Sequence, residues 1–291
     1  MQGIIVKGIG GFYYVDTGAG SIVECKARGL FRKDNIKPCV GDEVDISIGL
    51  ASDEAVITDI HPRKNHFARP PVSNVDQFVI VTAMADPAPN FTVLDRFILS
   101  AEAADVDIVL CFTKKDLATF KSMKQIREIY GKLYPHLFVD AREAASVEKL
   151  IPFLQGKKTA LAGPSGAGKS TILRTLRGDD TIQTGSVSEK TGRGKHTTRH
   201  VEIFGMEFGG MVFDTPGFTS FDLSPEIEEA MLQELYPEFS GYRDQCRFNG
   251  CLHLQEPECA VREAAEKGRI HPLRYESYRK ELELLRQEKK Y

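Results

Sequence analysis

Three stretches of this chain hold residues whose types and spacing could do chemistry. The first, "GPSGAGKS" over 163–170, runs glycine, four residues, glycine, lysine, serine. Where such a run follows a strand and opens a helix, Gly163, Gly166 and Gly168 let backbone N–H groups close on phosphate oxygens. Lys169 then neutralises the outer phosphates and the Ser170 hydroxyl can ligate magnesium. Pro164, Ser165, Ala167 and Thr171 complete the loop and the helix start. The implied ligand is a nucleoside triphosphate with Mg2+. Further on, "DTPG" at 214–217 ends the apolar run "GGMVF". Asp214 suits the magnesium shell there, and the Gly217 N–H suits a γ-phosphate.

The second stretch names the base. "TKKD" at 113–116 follows the apolar "DIVLCF" and contributes Thr113, Lys114, Lys115 and Asp116. Guanine presents a donor pair at N1 and N2, which a fixed carboxylate accepts through two charge-assisted bonds. Asp116 suits that role, and Lys114 can lay its methylene stem along the base. "FVDAR" at 138–142 ends the next strand and sets the Ala141 N–H to donate to the guanine O6. The pair predicts GTP and GDP rather than adenine nucleotides.

The third stretch is Cys-x4-Cys-x-His-x5-Cys: Cys246, Cys251, His253 and Cys259. Three thiolates and one imidazole match a structural tetrahedral zinc site with no position open to water. The surrounding "GYRDQCRFNGCLHLQEPEC" is too polar to bury a core of its own, so metal ligation would supply folding energy. Cys25, Cys39 and Cys111 lie in apolar or strand-like surroundings and read as small buried hydrophobes. Arg243, Arg247, Arg262 and Arg269 gather near the metal motif, as an RNA-phosphate contact or as a solvated face.

The elements that must carry these residues fall into three blocks. Residues 1–68 show five short alternating runs, "GIIVKG", "FYYVDT", "SIVECKA", "DEVDISI" and "EAVITDI". They predict a small barrel of the oligonucleotide-binding (OB) type, with an SH3-like barrel as the alternative. Residues 69–222 alternate apolar strands with amphipathic helices, among them "SVEKLIPFL", and predict a parallel sheet covered on both faces. Residues 223–291 read as helical and charged around the cysteine cluster.

In most guanine-nucleotide domains the phosphate loop precedes the base motif, whereas here it follows. Cutting a Ras-like sheet just after its DxxG strand and joining the old ends near "PFLQGKK" yields the observed order. Such a permutation keeps every contact because the ends of compact domains commonly lie close together. The segment after "DTPGF" then runs directly into the C-terminal block, so a γ-phosphate-dependent change could pass there without a second linker.

Composition limits the remaining choices. The 291 residues are 42% hydrophobic with a formal charge of -3, which argues against disorder and against a uniformly basic nucleic-acid coat. Local basic stretches, "RGLFRK", "TGRGKHTTRH" and "RYESYRK", remain able to meet phosphate. With no secretory leader and no membrane-length apolar run, the expectation is a cytoplasmic protein without a membrane partner.

A five-stranded barrel, then "TKKD", "GPSGAGKS", "GKHTT" and "DTPGF" in that order, then the Cys3His segment, resemble the RsgA (YjeQ/YloQ) family along nearly the whole chain. That resemblance implies a circularly permuted GTPase acting late in maturation of the small ribosomal subunit and stimulated by it. The implied partners are the subunit and its rRNA, and the chain is expected to be monomeric. Thr113 stands where that family usually has asparagine, and Asp140 where it usually has serine. Phe218 occupies the place after DxxG where Ras-like enzymes carry a water-orienting glutamine. The resemblance assigns that role to His196, and magnesium and the γ-phosphate to Thr197 or Thr198 in the same glycine-rich stretch. Two further classes are an RNA-binding module that uses GTP only as a switch, which loss of His196 would discriminate, and a small-molecule phosphotransferase. The latter is disfavoured because no separate substrate-binding insertion is evident.

Overall fold

The computed structural model of the chain describes residues 1–18, 20–28, 36–49, 54–178, 201–214 and 227–288. The five alternating runs form β1 (Gln2–Ile9), β2 (Phe12–Asp16), β3 (Ile22–Ala27), β4 (Glu43–Ile48) and β5 (Ala55–Ile60). β1–β2 and β2–β3 pair antiparallel, β3–β5 parallel, and β5–β4 and β4–β1 antiparallel, so the barrel closes in the OB manner. Alternation sends Ile5, Val15, Cys25, Val44, Ile46 and Ile57 into its interior. β1 shifts register between Ile5 and Lys7, the mark of a bulge, and beyond it Lys7 pairs with Glu202 of the neighbouring sheet.

A hairpin of β6 (His66–Ala68) and β7 (Pro71–Ser73) follows the barrel. Buried Asp42 ties barrel, linker and hairpin together, accepting from Arg63 Nε at 2.7 Å, Ser73 Oγ at 2.6 Å and the Cys39 N–H at 2.9 Å.

The central sheet contains β8 (Gln77–Ala83), β9 (Asp107–Thr113), β10 (His136–Phe138), β11 (Lys158–Ala162), β12 (Glu202–Gly205) and β13 (Met211–Asp214). Its order is β10-β9-β8-β11-β13-β12, with only β12 antiparallel to its neighbour. Every residue of β8 is buried because both faces are covered. Phe78 and Ile80 share one core with α1 (Phe91–Ala103) and α2 (Phe120–Tyr130) on one face. Val79 and Val81 meet Leu150, Leu154 and α3 (Lys169–Arg177) on the other. Asn90 caps α1 by accepting from the Val93 N–H, and Thr119 and Ser122 form a reciprocal cap on α2.

One expected element differs. "SVEKLIPFL" is not one regular amphipathic helix but falls in three short helical pieces, α-helical Ala144–Val147, 3-10 Glu148–Leu150 and α-helical Ile151–Leu154. Pro152 has no N–H to return to the Glu148 carbonyl, which interrupts the ladder.

The C-terminal block includes the turn Glu229–Leu232, α4 (Ala260–Glu266) and α5 (Pro272–Glu288). Tyr236, Phe239, Val261, Tyr278 and Leu282 form its core, which Leu99 of α1 joins. "RYESYRK" does not read as a wholly solvent-facing basic stretch. Arg274 is fully buried between Asp95 of α1 and Glu238, while Tyr275 and Tyr278 donate to the carbonyls of His253 and Leu252. No helix among the described residues is long and apolar enough to cross a membrane.

Candidate functional site

The parallel strands β10, β9, β8, β11 and β13 all end at one edge of the sheet, and the described residues among the predicted nucleotide ligands sit there. β11 runs into Gly163, whose φ of +137° and whose close approach to β8 exclude any side chain: a Cβ would meet the Val81 carbonyl oxygen at 2.1 Å. Gly166 and Gly168 also have positive φ, 76° and 97°, so the loop turns through conformations that glycine adopts without strain. Ser165 and Gly166 are exposed, Ala167 is buried, and Ser170 and Thr171 begin α3 beside Lys169, with Ser170 open to solvent. Lys169 Nζ donates to the carbonyls of Gly163 and Pro164 at 2.5 and 2.9 Å, and desolvation lowers its pKa to about 8. A lysine held inside the curve of a glycine loop at a helix N-terminus is suited to a polyphosphate, whose charge would stabilise the ammonium.

Thr113 ends β9 fully buried and donates from Oγ1 to the Ala167 carbonyl at 2.6 Å. The base motif and the phosphate loop are thus physically joined through Thr113. Lys114 adopts a left-handed backbone (φ 54°) and its Nζ donates to the Asp86 carbonyl. Lys115 and Asp116 are exposed in the short helical turn Lys115–Leu117.

Ala141 is buried, and its carbonyl accepts from Thr175 Oγ1 at 3.0 Å, tying the O6 turn to α3. Asp140 is fixed from two sides. Its N–H donates to Ser146 Oγ at 3.0 Å, and its Oδ1 accepts from the Arg142 N–H at 2.9 Å. Arg142 Nη2 in turn reaches Asp116 Oδ2 at 3.0 Å. No sequence pattern points to Thr175 or Ser146, and only its charge within "FVDAR" points to Arg142.

Asp214 ends β13 opposite Glu202 of β12, which pairs in turn with Lys7 of the barrel at 3.0 Å. Desolvation first, then the Glu202 charge, raises the Asp214 carboxyl above its ordinary range, a direction that a bound cation would reverse. β11 and β13 pair in parallel, so the phosphate loop and Asp214 share the same edge, as a magnesium site between Ser170 and Asp214 requires. His196, Thr197, Thr198, Gly217 and Phe218 lie outside the described residues.

The metal motif converges. The ligand atoms of Cys246, Cys251, His253 and Cys259 all lie within 4.8 Å of one another. Cys246 Sγ is 3.9 Å from Cys259 Sγ and 3.6 Å from His253 Nδ1, and His253 Nδ1 is 3.3 Å from Cys259 Sγ. A tetrahedron of zinc–sulfur bonds of about 2.3 Å has sulfur–sulfur edges of about 3.8 Å, so the donor set fits one Zn2+. Gln233 Oε1 accepts from the His253 Nε2–H at 2.8 Å, which leaves Nδ1 as the ligating nitrogen. Burial pushes the Cys251 thiol up to about 12 and raises that of Cys259, so a cation is what would hold these two as thiolates. Of the four arginines near this motif, Arg243, Arg247 and Arg262 pair with Asp244, Glu258 and Glu266 respectively. Cys25, Cys39 and Cys111 are buried and free.

The model of the RsgA GTPase domain matches residues 60–224, and that of the RsgA N-terminal domain matches residues 2–57. A protein of Clostridium perfringens (strain 13 / Type A) named small ribosomal subunit biogenesis GTPase RsgA is 47% identical over 284 residues, 97% of each chain. One of the same name from Carboxydothermus hydrogenoformans is 47% identical over 279 residues, 96% of this chain and 95% of its own. Among solved structures, YjeQ from Thermotoga maritima is 33% identical with a TM-score of 0.83, covering 98% of both chains. YloQ, described as a circularly permuted GTPase, is 34% identical with a TM-score of 0.81, covering 99% of this chain and 95% of its own.

Proposed function

The chain belongs to the RsgA family of GTPases, and from that premise we propose that it binds the small ribosomal subunit and hydrolyses GTP during the subunit's late maturation. The observation that carries the reading is the convergence of Asp116, Ala141, Lys169, Ser170 and Asp214 on one edge of a parallel sheet, in a chain order that only a permuted GTPase explains.

In this reading Asp116 accepts from the guanine N1 and N2 donors, with Lys114 along the base and Thr113 and Lys115 shaping the turn. The Ala141 N–H donates to O6. Lys169 and the N–H groups of 163–171 hold the phosphates, and Gly217 senses the outermost one. Ser170, Thr197 or Thr198, and Asp214 hold magnesium, which supplies charge neutralisation on the phosphates when bound. His196 orients the attacking water. One structural zinc holds the C-terminal block together through Cys246, Cys251, His253 and Cys259.

The proposed units are the barrel 1–68, the GTPase domain 69–222 and the zinc-bearing helical domain 223–291, with the barrel and the last unit meeting rRNA. A monomer working in the cytoplasm fits the subunit partner. The test is single-turnover GTP hydrolysis with and without purified small subunits. Slow turnover alone and faster turnover with subunits are expected, and equal rates would overturn the ribosomal assignment.

A further inference from the structure

We propose that Arg142 is a positioning and specificity residue, holding the Asp116 carboxylate ready for the guanine edge while Asp140 holds Arg142. The inference rests on the reading of Asp116 as the base acceptor.

Three side chains from two loops meet here. Asp116 follows β9, and Asp140 and Arg142 follow β10. The two strands pair in parallel, so their following loops lie side by side. Arg142 Nη2 lies 3.0 Å from Asp116 Oδ2, and Arg142 Nε lies 3.4 Å from Asp140 Oδ1. One planar fork thus spans two carboxylates, a geometry that lysine's single ammonium cannot reproduce.

Asp140 is itself immobilised by the Arg142 and Ser146 contacts of its own turn. Arg142 is therefore anchored at its base. Its side chain is 68% exposed, so packing does not force the contact with Asp116, and charge and fork geometry make it. An ionised carboxylate offers about four lone-pair sites, so a bond from Arg142 to Oδ2 leaves capacity for both guanine donors. A serine at 140 would supply no charge to hold the guanidinium. Asp140 and Arg142 thus act as one unit. Lys114 offers Asp116 no such hold, because its ammonium is directed to the Asp86 carbonyl.

Inosine triphosphate separates positioning from general loop damage. Inosine lacks the 2-amino group and engages Asp116 through N1 alone, so it depends less on the set of the carboxylate. Arg142→Ala should weaken GTP binding about three- to fivefold, the scale of an exposed ion pair, and inosine triphosphate binding by less than about twofold. The preference for guanine narrows accordingly. Arg142→Lys should fall between, and Asp140→Ala should reproduce part of the Arg142→Ala effect.

Titrations of the full chain with both nucleotides, for the single variants and for Arg142→Ala combined with Asp116→Ala, read this directly. In the Asp116→Ala background the Arg142 substitution should change nothing further. Equal weakening of the two nucleotides, an unchanged preference, or additive losses in the double variant would overturn the proposal. If Asp116→Ala itself leaves GTP affinity intact, the guanine reading fails instead, and the two failures are distinguishable.

Discussion

Thr113 Oγ1 donates to the Ala167 carbonyl at 2.6 Å inside the protein, joining the end of β9 to the phosphate loop across the sheet edge. The hydroxyl braces the phosphate loop directly from the base motif. Thr113→Val keeps the shape and removes the donor, leaving a buried carbonyl unpaired at a cost of about 1 to 3 kcal/mol. GDP affinity should drop about fivefold or more as the loop loses its fixed geometry. Thr113→Asn retains a donor and should lose less. Calorimetric titration checks this, and a valine variant of unchanged stability and affinity would discount the bond.

Lys169 titrates within reach of ordinary buffers, because burial lowers its pKa to about 8. A bound polyphosphate stabilises the ammonium, so nucleotide binding takes up a proton once the free lysine has begun to lose its own. Affinity for GDP should be flat below about pH 7.5 and fall by roughly an order of magnitude by pH 9. Lys169→Arg, always charged, should show no such fall. Fluorescence titrations across that window decide it, and a flat profile for the unmodified chain would contradict the assigned environment.

Arg274 has no exposed surface, and its Nη1 lies 2.6 Å from Asp95 Oδ1 while its Nε lies 2.7 Å from Glu238 Oε1. It joins the GTPase domain to the C-terminal block and packs its guanidinium over Tyr236 at 4.7 Å. Arg274→Met would leave Asp95 and Glu238 as buried charges without a cation. Unfolding free energy should decrease by about 3 to 5 kcal/mol, while Arg274→Met with Asp95→Asn and Glu238→Gln should recover part of it. Urea denaturation measures both, and a single variant as stable as the parent would show that the network contributes little.

Gln233 and His253 predict a zinc phenotype from a residue that touches no metal. The 2.8 Å contact at Nε2 orients the ring for ligation through Nδ1. Gln233→Ala should weaken zinc binding about 10- to 100-fold, measured by competition with a chromogenic chelator. His253→Ala should lose stoichiometric zinc and loosen the loop that Tyr275 and Tyr278 hold. Zinc affinity unchanged in the glutamine variant would mean the ring is set by packing against Phe239 and Tyr278.

Much of this protein could be read from its sequence, because the relevant chemistry is encoded over short distances. The glycines of 163–168 specify a phosphate loop through backbone conformations that few other residues adopt. The five alternating runs specify barrel strands through the two-residue period of the pleat, and three cysteines and a histidine within one short stretch specify a tetrahedral metal.

What the tertiary structure alone decided are pairings between residues far apart in the chain: Arg142 with Asp116 over 26 positions, Thr113 with Ala167 over 54, Arg274 with Asp95 over 179, and Lys7 with Glu202 over 195. Each exists because strand order and helix packing bring its partners together, and a side chain's type does not say which distant neighbour will face it. The same reason explains why the barrel and the GTPase sheet are continuous through β1 and β12: a strand edge pairs by position in space, and no residue pattern in "GIIVKG" names its second partner.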